Sequence, residues 1–144
     1  MVRIPLLITP DGLILPVTIR SEKYRVPYSQ VIFLVDTGST LTFLSPDDAS
    51  RLHIPVSSLM AFHHVQVGGT MIELSKMNKV ELILKDAKGI IVKPIVIEEL
   101  NVGKMVRKNK ILGVPSILGL DFLLDNRLSF HYLPSEKIAY LETE

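Results

Sequence analysis

The chain has 144 residues, 47% of them apolar, a formal net charge of +1 and no cysteine. That length suits a single domain, residues 1–144, with a proper core, and the apolar content excludes a disordered chain. The balanced charge gives no case for nucleic acid or a membrane surface, and the lack of cysteine excludes disulfides and thiolate catalysis.

Met1 to Ile8 is apolar but short, contains Pro5 and has no small-residue cleavage site. It does not read as a signal peptide. No apolar run approaches the roughly 20 residues of a membrane-spanning helix, so a cytoplasmic protein is expected. Pro10-Asp11-Gly12 is a turn signal, and Leu6 to Thr9 and Leu13 to Arg20 should form a hairpin around it. Leu13, Leu15, Val17 and Ile19 alternate with Ile14, Pro16, Thr18 and Arg20, the period of a strand. Ser21 to Ser29, polar and with Pro27, reads as a loop. Val31 to Val35 is an unbroken apolar run that reads as a buried strand, and Leu41 to Leu44 reads as a short one. Ser45-Pro46-Asp47-Asp48 opens a brief helix to about Leu52. Ser45 caps it, Pro46 fits the first position, and the acids suit its positive end.

Ala61 to Val67 and Thr70 to Ser75 flank Gly68-Gly69, a hairpin signal because both central residues can take positive φ. Val80 to Leu84 and Ile90 to Ile97 flank a second turn, Asp86 to Gly89. Asn101 to Lys110 carries Lys104, Arg107, Lys108 and Lys110 and reads as a solvated loop. The chain returns to the core at Ile111 to Gly119. A short helix then spans Leu120 to Asn126, and Leu128 to Tyr132 with Lys137 to Leu141 form the last hairpin. Many short strands and two brief helices predict an all-β fold, closed or sandwiched.

Chemistry concentrates after the Val31–Val35 run, at Asp36-Thr37-Gly38-Ser39-Thr40. One acid stands at the edge of the core, Gly38 allows a tight turn, and three hydroxyls can donate hydrogen bonds. That is a setting for acid–base chemistry. Asp47 and Asp48 are better explained as helix-capping acids. His63 and His64 are adjacent, so in a strand they face opposite ways, and no carboxylate stands at metalloprotease spacing; no metal or other cofactor is expected.

Val35-Asp36-Thr37-Gly38-Ser39 resembles the active-site turn of aspartic proteases. Ser116-Ile117-Leu118-Gly119-Leu120-Asp121-Phe122-Leu123 resembles their second signature, two apolar residues and Gly before a short helix. Val67-Gly68-Gly69-Thr70 sits between them, where that family carries its flap. The resemblance runs from about Leu13 to Leu141. One Asp-Thr-Gly in a short chain is similar to the retropepsin-like group, and it implies a closed-barrel-like fold with one or two short helices.

The resemblance also implies an endopeptidase in which Asp36 and its symmetry mate in a homodimer bind the lytic water. Ser39 would bond the carboxylate, Thr37 would link the two turns, and Gly38 would let backbone and substrate approach. Gly68 and Gly69 would close over an extended peptide. Two carboxylates sharing a proton can activate water and protonate the leaving nitrogen, and a two-fold axis lets one motif supply both. A dimeric peptide-binding module of the same fold without turnover is the alternative.

Overall fold

The computed structural model describes residues 1–67, 70–105 and 113–144. Strands β1 (Arg3–Pro5), β2 (Leu7–Thr9), β3 (Gly12–Ser21), β4 (Val26–Val35) and β5 (Phe43–Leu44) lead to helix α1 (Pro46–Arg51). Then come β6 (Ala61–Val67), β7 (Thr70–Ile83), β8 (Ile95–Met105), β9 (Ser116–Leu118), α2 (Leu120–Asp125), β10 (Leu128–Leu133) and β11 (Ile138–Thr143). The larger sheet runs β2-β3-β4-β9-β5-β8-β7-β6, and β7 also pairs with β3. Six of its strands therefore close into a ring, with β2 and β6 outside it. The fold is mostly β, as the sequence predicts. No helix among the described residues is long and apolar enough to cross a membrane.

Alternation sets the sidedness of the long strands. In β3, Leu15, Val17 and Ile19 are buried and the residues between them are half covered. In β4, Val31, Phe33 and Val35 are buried, but Ile32 is 44% exposed. The run that reads as wholly buried thus turns one face outward. Phe33 lies fully buried in the main core, and truncating such a side chain to Ala costs about 3–5 kcal/mol.

Strand β4 also starts earlier than composition suggests, inside the expected Ser21–Ser29 loop. The turn is only Glu22 to Arg25, closed by the Arg25 N–H to Glu22 O bond of 3.2 Å. Pro27 is tolerated because the β3–β4 register slips between the Ile19–Ser29 and Ser21–Val26 pairs, where the ladder needs no donor from it.

The second departure lies in β7 and β8. They form one long antiparallel pair, from Ile72–Met105 to Leu82–Ile95, where two separate hairpins were expected. Beyond it only an isolated Lys85–Ile91 bridge remains of the expected Ile90–Ile97 strand start. Asn101 to Met105 is strand, not solvated loop. Leu100, Asn101 and Val102 are buried, and Asn101 donates from Nδ2 to Thr42 O at 3.0 Å. Pairing with β7 overrides the polar composition there. Arg107, Lys108 and Lys110 lie outside the described residues.

A separate three-stranded sheet, β1-β11-β10, joins the two ends of the chain. Arg3 pairs with Glu142 and Pro5 with Tyr140, so the two terminal strands lie side by side within one chain. Ile4, Leu128, Ala139 and Leu141 face the core. On the outer face the Arg3 guanidinium lies 4.4 Å from the Tyr140 ring, and His131 stacks on that ring at 4.7 Å.

Candidate active site

The site starts where two strands that are distant in sequence run side by side. Strand β9 lies parallel to β4, with Val35 opposite Leu118, and antiparallel to β5 through Phe43 and Ile117. Asp36 follows Val35, and its N–H donates to Leu118 O at 3.0 Å. The chain then turns: Ser39 N–H donates to Asp36 O at 3.1 Å, and Gly38 N–H donates to Asp36 Oδ1 at 2.9 Å. A Cβ on Gly38 would stand 3.1 Å from that same oxygen, so glycine lets the amide approach. The Asp36 carboxylate is half-exposed, and among the described residues no other donor reaches it.

The resemblance had Ser39 bonding this carboxylate. The structure gives its hydroxyl another partner, Leu41 O at 2.8 Å, so Ser39 braces the turn's far side. Thr37 and Gly38 are exposed at the tip. The turn rests on Gly119, where an added Cβ would lie 2.5 Å from Leu41 O and 2.7 Å from Ser39 O. Just past it, Leu120 N–H donates to Ser39 O at 2.8 Å and Asp121 N–H to Thr40 O at 3.3 Å.

Above the turn lies a cleft of about 400 Å³, lined on its floor by Asp36, Gly38, Leu41 and Phe43. Val65 and Gln66 of β6, with Leu74 of β7, line it from the hairpin side. Phe43, Ile72, Leu74 and Ile117 form a small apolar cluster of their own beneath it. The β6–β7 hairpin thus faces the acid. Val67 pairs with Thr70 at its end; Gly68 and Gly69 lie outside the described residues. The apolar part of the cleft floor was not read from the sequence, although Leu41 and Phe43 stand two apart in a strand-like run just after the Asp turn.

Ser45, Asp48 and His64 have structural partners. Ser45 Oγ accepts from Asp48 N–H at 3.1 Å, capping α1 as expected. The Asp48 carboxylate takes the Ser116 hydroxyl at 2.6 Å and Arg51 at 2.9 Å, tying α1 to β9. His64 Nε2 lies 3.5 Å from Glu73 Oε2 across the hairpin. Among the described residues no cluster of three His, Asp or Glu could hold a metal.

Residues 16–122 match the family model described as aspartyl protease. The chain belongs to the aspartyl protease family. No curated protein matches it. Among solved structures, this aspartyl protease family member is similar to a retropepsin-like aspartic protease from Rickettsia conorii. The TM-score is 0.59 at 19% identity, over 96% of this chain and 89% of the other. It is also similar to the retroviral protease-like domain of Ddi1 from Leishmania major. There the TM-score is 0.50 at 16% identity, over 91% and 94%. At these identities the likeness is one of fold, and the fold of this family member is retropepsin-like.

Proposed function

We propose that the protein is an aspartic endopeptidase that acts as a homodimer, with Asp36 of each chain forming the catalytic pair. The observation that carries this reading is the state of the Asp36 carboxylate. It is half-exposed at the floor of a cleft, with Oδ1 fixed by Gly38 N–H and no second donor among the described residues. A carboxylate held this way keeps accepting capacity for a water or for a second carboxyl group.

In this reading two such turns meet across a two-fold axis at the exposed Thr37-Gly38 tip. One carboxylate is ionised and takes a proton from the water that attacks the peptide carbonyl. The other, protonated, hydrogen-bonds that carbonyl oxygen, and the proton taken from water passes to the leaving nitrogen. Thr37 links the two turns. The substrate is an extended peptide or an unfolded protein, lying between the floor and the β6–β7 hairpin. Val67, Gly68, Gly69 and Thr70 form the closing end of that hairpin, and the substrate's main chain can add to its edge as a further strand.

The test is incubation with an unfolded, fluorescently labelled protein across pH, with and without a statine-type inhibitor. Cleavage that the inhibitor stops, and that Asp36→Asn lacks, is the expected result. Binding of an unfolded peptide without any cleavage would instead favour a dimeric peptide-binding module.

A further inference from the structure

We propose that Asp121 is a positioning residue for the Asp36 turn, acting through Thr42. This rests on the protease reading of the cleft. The Asp36 turn is a span between two fixed ends. One end is Asp36 itself, whose N–H is held by Leu118 O at 3.0 Å. The other is Thr42, the residue after Leu41, only 5% exposed.

Every polar group of Thr42 is committed. Its hydroxyl donates to Asp121 Oδ1 at 2.6 Å, and its N–H donates to Asp121 Oδ2 at 3.1 Å. Its carbonyl accepts from Asn101 Nδ2 at 3.0 Å. With its proton given to Asp121, the Thr42 oxygen presents a lone pair to Gly119 N–H at 2.9 Å. Gly119 is the residue on which the turn rests. Asp121 Oδ1 also accepts from Phe122 N–H at 2.7 Å. All three partners of the carboxylate are donors, so the arrangement needs an acceptor-only side chain.

Capping of α2 alone would use that helix's own amides. Here two of the three donors belong to Thr42, 79 positions away. If Thr42 rotated, Leu41 O and Ser39 O would move relative to Gly119, and the height of Asp36 in the cleft would change with them. Bonds to charged acceptors are also about twice as strong as neutral ones, which suits an anchor.

The experiment compares Thr42→Val, Thr42→Ser, Asp121→Asn and Asp125→Asn in the full-length protein. Its readouts are kcat and KM on a labelled unfolded protein and amide exchange at Asp36 and Gly119. Thr42→Val and Asp121→Asn are expected to lower kcat about 10- to 100-fold with KM little changed, as a small misplacement of a catalytic group does. Exchange at both amides should accelerate. Thr42→Ser keeps the hydroxyl and should recover kcat, while Asp125→Asn changes the same helix's charge and should leave kcat and exchange alone.

Wild-type kcat in both Thr42→Val and Asp121→Asn, or a rise in KM only, overturns the proposal. If Asp121→Asn does not fold, the Thr42→Val and Thr42→Ser pair decides. If the wild type cleaves nothing, the protease reading falls. The exchange rates then judge the anchor by itself: unchanged rates overturn it and accelerated rates uphold it.

Discussion

Asp36 needs its second oxygen more than its first. Gly38 N–H fixes Oδ1 at 2.9 Å, so an Asn there could keep the turn by presenting its own oxygen to that amide. What it would lose, in the proposed chemistry, is a base. Asp36→Asn is therefore expected to fold with unchanged stability and to lose at least about 10²–10⁴-fold in kcat, the usual effect of removing a general base. Retained cleavage by the purified variant would sink the assignment. Gly119 is the complementary case. Its φ of −99° is open to any residue. The obstacle is space, because a Cβ would meet two backbone carbonyls of the Asp36 turn at 2.5 and 2.7 Å. Gly119→Ala should destabilise by about 1–3 kcal/mol, the range of overpacked sites, and should also lower kcat, because the displaced atoms belong to the turn. Chemical denaturation alongside kinetics reads both; a variant normal in both would refute the close approach.

Among the elements, α1 and the β6–β7 hairpin were legible in sequence for different reasons. Ser45-Pro46-Asp47-Asp48 carries its own local signals, and Ser45→Ala should cost about 1 kcal/mol in urea unfolding. No loss would mean the cap bond to Asp48 is not formed in solution. The hairpin is marked by two glycines between apolar runs, and replacing both with Val should strain their turn and lower peptide turnover while the fold survives. Unchanged kinetics would say that this hairpin does not close on substrate. The extension of β8 through Met105 was not legible, because Asn101 and Gly103 look like loop residues until β7 and Thr42 O supply their partners. The same holds for Val26 to Ser29, where Pro27 argues against a strand and a register slip removes the objection. The Asp36 turn could be read from one motif. Its anchor could not: nothing local to Thr42 or Asp121 announces a bond between them.

At the scale of the molecule, one chain presents one Asp-Thr-Gly and the proposed chemistry needs two carboxylates. Specific activity should therefore fall on dilution through the dimer dissociation constant, by mass action. Mixing wild type with excess Asp36→Asn should poison activity after subunit exchange, since mixed dimers carry a single competent acid. A monomer by light scattering that still cleaves would defeat this. Two like carboxylates in contact cannot both ionise cheaply, so the pair works while it shares a proton. Cleavage should be fastest below neutral pH and decline as that proton is lost. A rate that climbs steadily into alkaline pH would point to another kind of base.

The parallel pairing of β4 with β9 also sets when the Asp36 turn can first be completed during synthesis. Asp36 is made early, but its N–H partner Leu118, the glycine beneath the turn and the Asp121 that grips Thr42 all come much later. During synthesis the emerging chain therefore carries the acid with nothing to seat it. A truncation ending at Gly113 would display the complete Asp-Thr-Gly-Ser and lack all of those later partners. Under the proposed protease reading, the order of translation would withhold these contacts from the Asp36 turn while the chain is still unfolded and would be its own nearest substrate.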